Sequence, residues 1–306
     1  MYLRWTEQFF ANDMQSDGEL QVFLGGRSSQ KRSLNEPSSG SSVPPILGEQ
    51  DSTKTRAMSK KPTGAKNYGS IPHLPNSRMG PADHACPEGM QRIATEQVRD
   101  KHDRVVVQEK LDGTNVGVAK VSGEIFAIQR AGYPADSSPF EQHHHFAAWV
   151  QKHKTRFDEV LRDGERICGE WLLQAHGTRY QLHHEPFVAF DIICGKERMV
   201  YDDFLARIEP YGFISPFCVG RGDPMSLESA LDALGKFGHH GALDPIEGAV
   251  WRVETNRQIT PGKANGRKWV VDFIVKFVRP DKTDGHYLPD ISGGDIIWNL
   301  NPKELL

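Results

Sequence analysis

Short apolar runs separated by turn residues dominate the chain after residue 65. Runs of this kind, rich in Val, Ile and Phe, predict β-strands. We predict strands over residues 104–109, 115–121, 124–129, 166–173, 187–193, 248–253 and 268–278. Ser122 and Gly123 separate the second and third of these strands, so we expect a hairpin there.

One long helix is predicted between the third and fourth strands. Ser138 has the position of an N-cap, Pro139 that of the first helical residue, and Glu141 completes a capping-box pattern. Apolar residues then recur at helical spacing as far as Leu161, and Gly164 ends the pattern.

Shorter helices are predicted at about 202–211 and after Ser226. Strands therefore dominate, and the helices interrupt them without a regular βαβ rhythm. This order favours an α+β fold with antiparallel sheets over a doubly wound parallel sheet.

The N-terminal part of the chain has a different composition. Residues 26–65 contain nine serines and no aromatic residue, and such a segment buries too little apolar area to offset the entropy of ordering it. We therefore predict a disordered or poorly ordered extension over residues 1–65 and one folded domain over 66–306. Met58 as the true start of the protein is an alternative interpretation.

Charge and cysteine content narrow the protein class. The net charge is −3, so any nucleic acid would have to bind a local cluster of cations. No apolar run approaches the length of about 18 residues that a membrane span needs, and no secretory signal is visible. The four cysteines include no CxxC pair, and Cys168 and Cys194 lie in apolar, strand-like stretches, which indicates buried free thiols and a cytoplasmic location.

The first candidate for chemistry is Lys110-Leu111-Asp112-Gly113, directly after a predicted strand. By itself the motif is short enough to arise by chance, and Asp-Gly also favours a simple turn. The functional alternative is a lysine nucleophile. Such a lysine must be deprotonated, or activated by desolvation or neighbouring cations.

Four further motifs follow Lys110 in order, and each lies within a predicted strand or at its end. They are Gly169-Glu170-Trp171, Phe187–Asp191, Glu247–Arg252 and Val275–Arg279. With the lysine motif, this series resembles the covalent nucleotidyltransferase superfamily, and within it the second-type, nick-sealing ATP-dependent RNA ligases. The segment Ile71–Arg78 is also similar to that family, and the resemblance covers about residues 66–290.

The resemblance implies a nucleotidyltransferase domain with two antiparallel sheets, flanked by helices, around a nucleotide cleft. It implies an ATP-dependent RNA ligase: a lysine accepts AMP, AMP passes to a 5′-phosphate end, and a 3′-hydroxyl displaces it. ATP and Mg²⁺, with Mn²⁺ as an alternative ion, are the expected cofactors. RNA with nicked or broken ends is the expected partner of a cytoplasmic, monomeric protein that binds no membrane.

The same resemblance assigns the phosphate chemistry. Lys110 matches the lysine that becomes AMP-linked, and Asp112 and Gly113 complete its motif. Glu247 matches the carboxylate near the α-phosphate and the metal, and Lys276 matches a phosphate-binding lysine. Lys276 and Mg²⁺ would stabilise the negative charge that develops on the phosphate oxygens.

Nucleoside recognition is assigned to a second group of residues. Glu170 matches the carboxylate that binds the nucleotide sugar, and Phe190 matches the aromatic residue that stacks on adenine. A flat apolar ring suits a purine. Glu109, next to Lys110, and Arg130, at the position of a phosphate-contacting arginine, complete the predicted ATP-binding residues.

The candidate contacts to nucleic acid are His73, Arg78, Arg130, His176 and Arg279. His73 and Arg78 lie in the Ile71–Arg78 segment, which either binds a phosphate or packs on the core as a structural arm. For His176, a structural hydrogen bond is the alternative to a substrate contact.

Two departures from the family pattern have consequences. The last motif of the family often has two lysines one residue apart, whereas Ile274 and Val278 flank Lys276 here, so Arg279 or Lys268 is expected to act instead. The chain also ends about 30 residues after Lys276, which leaves no room for an OB-fold. We therefore expect weak, salt-sensitive binding to nucleic acid, with an accessory protein that supplies substrate contacts as a further partner.

Three alternatives keep the fold and change the function. They are a capping-type enzyme that uses GTP, a DNA nick ligase and a catalytically inert RNA-binding relative.

Overall fold

The computed structural model describes residues 60–259 and 266–305. The predicted N-terminal extension therefore lies outside the described residues as far as residue 59. Its last residues are described, and there the Gly64 N–H donates to the Lys61 carbonyl at 3.0 Å. Within the described ranges, no helix is both long and apolar enough to cross a membrane.

Nine strands form the two sheets of the described residues. They are β1 (Asp103–Lys110), β2 (Thr114–Val121), β3 (Glu124–Gln129), β4 (Glu165–Trp171), β5 (Phe187–Cys194), β6 (Glu197–Arg198), β7 (Cys218–Gly222), β8 (Gly248–Gln258) and β9 (Arg267–Val278). Sheet A has the order β7-β1-β8-β9, and sheet B has the order β3-β2-β4-β5-β6. Neighbouring strands in both sheets run antiparallel, which confirms the predicted fold class.

The helices are short. They are α1 (Glu88–Thr95), α2 (Glu141–Lys152), α3 (Lys154–Val160), α4 (Tyr201–Ile208), α5 (Leu227–Leu234), α6 (Pro289–Ser292) and α7 (Pro302–Leu305). The start of α5 is as predicted, because the Ser226 hydroxyl caps it by accepting the Ser229 N–H at 3.1 Å. The sequence patterns gave no prediction for α1 or for β7, which contains two glycines in five residues.

The long helix predicted from Ser138 to Leu161 is wrong in two respects. The helix is divided at His153, which ends α2 and precedes α3. In addition, α2 begins at Glu141, and Phe140 has extended backbone angles. The Ser138 hydroxyl accepts the Phe140 N–H at 3.2 Å and lies 2.6 Å from His143 Nδ1, so it is used in the turn before the helix.

Each sheet covers a separate hydrophobic core. Sheet B packs against α2, α3 and α4 around large buried rings, namely Phe146, Trp149, Phe157, Trp171, Phe187 and Phe204. Sheet A packs against α1 and α5 through Val105 and Val107 of β1 and their neighbours. Side chains alternate along a strand, so Lys110 lies on the opposite face of sheet A from this core.

Arg252 connects the two sheets. This β8 side chain is only 2% exposed, and its guanidinium donates to the Phe190 carbonyl at 3.0 Å and to the Met199 carbonyl at 3.0 Å. Asp191 Oδ1 lies 3.4 Å away and supplies the opposite charge. A buried cation with these partners fixes β8 of sheet A against β5 of sheet B.

The cysteines are only partly as predicted. All four are free. Cys168 is buried, whereas Cys194, at the end of β5, is exposed. The apolar run before Cys194 ends at a turn between β5 and β6, and the thiol faces outward there.

Candidate active site

The end of β1 brings a lysine against a carboxylate. Lys110, the last residue of β1, pairs with Gly248, the first residue of β8. Glu247 directly precedes that glycine, so the register places the two side chains together. Lys110 Nζ donates to Glu247 Oε2 at 2.5 Å.

Burial and neighbouring charges shift the pKa values of the groups in and around this pair. Burial lowers the pKa of Lys110, but the carboxylates of Glu247 and Glu170 outweigh burial and leave it raised. Burial raises the pKa of Glu247 to about 7, with Lys110 opposing the shift. The pKa of Glu170 is raised to about 7 by the same cause. The lysine is therefore an ammonium ion in the protein without nucleotide.

A second lysine lies on the same face of sheet A. Lys276 of β9 pairs with Val250 of β8, and its neighbours Val275 and Phe277 point into the core beneath the sheet. Burial and the charge of Lys110 lower the pKa of Lys276, whereas Asp83 raises it. Two cations thus share one region, which favours an anion between them.

Sheet B contributes different groups. Glu170 of β4 alternates with Trp171, which belongs to the core of that sheet. Phe190 lies at a bulge of β5, where Gly169 pairs with Ala189 and Cys168 pairs with Asp191. A bulge changes the direction of its extra side chain. The half-buried Phe190 ring forms a T-shaped contact with the Tyr68 ring, with 5.0 Å between the ring centroids.

The turn after Lys110 is closely packed. A Cβ on Gly113 would lie 2.6 Å from the Trp171 carbonyl oxygen, so only glycine fits there. The Asp112 N–H donates to Tyr180 Oη at 3.0 Å. Asp112 Oδ2 accepts from the Thr178 hydroxyl at 3.1 Å. The turn therefore has one conformation, which fixes the lysine before it.

Arg130 and Glu109 differ in position. Arg130 follows β3 and is exposed, and its charge acts on both Glu170 and Lys276. Glu109 alternates with Lys110, and its carboxylate accepts the His239 N–H at 2.9 Å instead of meeting the lysine. Burial raises the pKa of Glu109 to about 7. The Glu109 carboxylate is therefore directed away from Lys110, and only the Glu109 backbone is available for the predicted nucleotide binding.

Four of the five residues predicted to contact nucleic acid, all except Arg130, have side-chain partners within the protein. Arg78 pairs with Asp284, and Arg279 pairs with Asp281. His176 Nε2 lies 2.9 Å from the Thr114 hydroxyl. His73 is only 1% exposed, which favours the structural arm among the two interpretations of its segment.

Comparison with known proteins identifies the family. The family model described as RNA ligase matches residues 103–278, which is more than half of the chain. The matched range begins at the first residue of β1 and ends at the last residue of β9. The chain belongs to the RNA ligase family. No curated protein matches it significantly.

Solved structures of RNA ligases resemble this family member at low identity. An archaeal ATP-dependent RNA ligase is 21% identical over 58% of this chain and 43% of its own, with a TM-score of 0.37. An RNA ligase variant of Naegleria gruberi, solved with ATP and Mn, is 13% identical over 68% of this chain and 59% of its own, with a TM-score of 0.42. The chain thus spans about two fifths to three fifths of these relatives.

The structure also bears on the second cation of the last motif. Lys268 pairs with Arg257 near the far end of β9, about 26 Å along the strand from Lys276 at 3.3 Å per residue. Lys268 is therefore too distant to replace the second lysine, and Arg279 is paired with Asp281.

Lys282 is the cation that sequence reasoning missed. It is 8% exposed, and its Nζ lies 3.5 Å from Asp112 Oδ2 in this RNA ligase family member. Nζ also donates to the Gly177 carbonyl at 2.8 Å. Lys282 lies three residues after the Val275–Arg279 motif, within the segment that resembles the family, and this position is the signal by which it could have been found.

The donor set suits a magnesium ion that is held mainly by its substrate. The described residues contain no group of three or more His, Cys, Asp or Glu side chains that could cage a metal. Glu247 presents a carboxylate beside Lys110. Mg²⁺ in nucleotide sites is commonly bound by one or two carboxylates together with phosphates and water, so Glu247 fits the ion.

Proposed function

We propose that this protein is an ATP-dependent RNA ligase that works through a lysyl-AMP intermediate on Lys110. The observation that supports this most is the position of Lys110, 2.5 Å from Glu247 at a strand end. Lys276 and Glu170 act electrostatically on the same region. This arrangement suits attack by an amine on a phosphate.

Nucleotide binding is the role of sheet B in this proposal. Phe190 stacks on the adenine ring, and Glu170 accepts a hydrogen bond from a ribose hydroxyl. ATP is the proposed nucleotide. Glu247 would hold Mg²⁺, which supplies positive charge at the phosphates when bound.

In the first step the Lys110 amine attacks the α-phosphorus of ATP. A nitrogen–phosphorus bond forms, the bond to the β-phosphate oxygen breaks, and pyrophosphate leaves. Lys110, which donates a hydrogen bond to Glu247, must first release one proton to water, because an ammonium has no free electron pair. Lys276 stabilises the negative charge that grows on the phosphate oxygens.

In the later steps the AMP passes from Lys110 to a 5′-phosphate end of RNA. A 3′-hydroxyl then attacks that phosphate, forms the phosphodiester bond and releases AMP. Arg130, which is exposed and whose charge acts on Glu170 and Lys276, is the proposed contact for the RNA phosphates. A monomer in the cytoplasm remains the proposed state of the protein.

The test is a labelling and sealing assay with the purified full chain. We expect α-labelled ATP with Mg²⁺ or Mn²⁺ to label the protein covalently, and GTP to fail. Lys110→Ala should abolish labelling. Lys120→Ala is the control, because Lys120 is a half-buried lysine of β2 that is paired with Asp158 and should label normally.

Sealing is then measured on nicked and single-stranded RNA and DNA ends. The proposal predicts sealing of ends that contain RNA. Persistent labelling of Lys110→Ala would exclude Lys110 as the nucleophile. Sealing of DNA-only nicks with no activity on RNA would overturn the substrate, and labelling by GTP alone would favour a capping-type enzyme.

A further inference from the structure

An extended segment before α1 pairs with β9 at Lys276. The Lys276 N–H donates to the Pro72 carbonyl at 3.0 Å, and the Leu74 N–H donates to the Lys276 carbonyl at 2.8 Å. On its other side Lys276 pairs with Val250 of β8. The backbone of Lys276 is therefore fixed by hydrogen bonds on both sides, and only the conformation of its side chain is left to be determined.

His73, between those two contacts, is fixed in the same way. Its N–H donates to the His84 carbonyl at 2.8 Å, and its carbonyl accepts the Cys86 N–H at 2.8 Å. Its ring Nδ1 lies 2.6 Å from Ser77 Oγ, and that hydroxyl oxygen accepts the Val278 N–H at 2.9 Å. The imidazole is thus locked against β9 with Nε2 as its remaining polar atom.

That remaining atom meets Asp83. His73 Nε2 lies 3.2 Å from Asp83 Oδ1, and the same oxygen lies 3.6 Å from Lys276 Nζ. Asp83 Oδ2 accepts the Gly80 N–H at 2.9 Å. Both carboxylate oxygens therefore have partners, and one of them is placed between the histidine and the lysine.

The charge of Asp83 is suited to this place. Burial raises the pKa of Asp83, but the Gly80 N–H, Lys276 and His73 outweigh burial and leave it lowered, so the group is a carboxylate. Lys276 is pushed toward its neutral form by burial and by Lys110. The distance of 3.6 Å is that of an ion pair and not of a hydrogen bond, so Asp83 supplies charge without occupying a lysine donor.

We propose that Asp83, oriented by His73, is a positioning residue that keeps the Lys276 side chain charged and directed into the active site. This inference rests on the proposed function, because Lys276 has a role there only if a phosphate binds. It concerns residues before β1 that lie outside the matched family range. Asp83 acts through Lys276 and does not itself touch the substrate.

A double-mutant cycle tests this inference on lysyl-AMP formation without RNA. Asp83→Asn keeps the shape and removes the charge, and we expect the single-turnover rate constant to fall about tenfold, as for coupled neighbours. In a Lys276→Met background, Asp83→Asn should have no further effect. A residue that merely stabilised the fold would lower the rate in both backgrounds.

Two further variants complete the design. Asp83→Glu retains the charge and should keep most of the activity. Asp158→Asn is the matched control, because Asp158 forms a surface pair with Lys120 at 2.8 Å and should leave the rate unchanged. If Asp83→Asn does not fold, the single-turnover rate constants of Asp83→Glu and His73→Gln are compared instead. We expect Asp83→Glu to keep most of the activity and His73→Gln to react more slowly.

Two results would overturn the inference while the proposed function stands. One is an equal loss from Asp83→Asn with and without Lys276. Another is tighter ATP binding by Asp83→Asn, which would mean that the carboxylate competes with phosphate for the lysine. Failure of the wild-type chain to form any lysyl-AMP would instead contradict the proposed function itself.

Discussion

The two sheets present different chemistry. Sheet A, with the residue that precedes β8, supplies Lys110, Lys276 and Glu247, whose charges act on one another and shift each other's pKa values. Sheet B supplies Glu170 and the ring of Phe190, which packs on Tyr68. The difference implies a division between phosphate chemistry on one sheet and nucleoside recognition on the other. Substitutions on the two sheets should therefore alter different kinetic constants.

The largest effect is expected from Lys276→Met on sheet A. The loss of one preorganised cation should lower the rate constant of lysyl-AMP formation by about 10²- to 10³-fold, with a smaller change in the KM for ATP. Rapid-quench measurements at saturating labelled ATP give this constant. Lys120→Met, which replaces a half-buried lysine of β2 paired with Asp158, is its control, and a change confined to the KM would contradict the proposed division.

Phe190→Ala on sheet B should mainly change the KM for ATP and not the rate constant. Loss of base stacking is worth about 1–3 kcal/mol, which raises the KM for ATP by about 5- to 150-fold. The rate at saturating ATP should change much less, and Phe190→Tyr should restore binding. Steady-state adenylylation over a range of ATP concentrations measures both constants, and a large fall in rate at saturation would contradict the assignment.

The smallest effect concerns the other face of sheet A and is a matter of stability. The pKa of Glu109 is about 7 in the fold against an ordinary 4.5. Its protonated form therefore stabilises the fold fully below pH 4.5, and this contribution is lost as pH rises through about 7. Glu109→Gln should raise the free energy of unfolding by about 1–3 kcal/mol at about pH 8 relative to the wild type.

Urea unfolding at about pH 5 and about pH 8 checks this prediction. The gain should be smaller at the lower pH, because Glu109 is then protonated in the folded state, and it should vanish only below the ordinary pKa of 4.5, where the unfolded chain is protonated as well. An equal gain at both values would mean that burial of the Glu109 carboxyl does not control its ionisation.

The strand-borne part of the site was predictable from the sequence. Glu170, Phe190 and Lys276 each lie in a strand that its apolar pattern predicted, and Lys110, predicted to follow a strand directly, is the last residue of β1. Alternation along a strand then determines which face a residue occupies. The predicted hairpin between β2 and β3 also formed as expected, with Ser122 and Gly123 in its turn at positive φ.

Contacts between segments that are distant in the chain could not be predicted from the sequence patterns. Asp83 and Lys282 lie in irregular segments, and their partners His73, Lys276 and Asp112 are up to 193 residues away in the chain. The spacing of apolar residues carries no information about such pairs. The divided helix at His153 was missed for a related reason, because the apolar spacing continues through the break into α3.

The central claim is that Lys110 carries the AMP, and direct mapping of the modified residue tests it. The full chain is incubated with ATP and Mg²⁺ in the absence of RNA, digested, and its peptides are sequenced by tandem mass spectrometry. The account predicts a single AMP on Lys110, and its transfer from Lys110 to the RNA when an RNA end with a 5′-phosphate is added. AMP on another side chain, such as Lys276 or Lys282, or a Lys110 peptide that stays unmodified while the protein seals RNA, would contradict it.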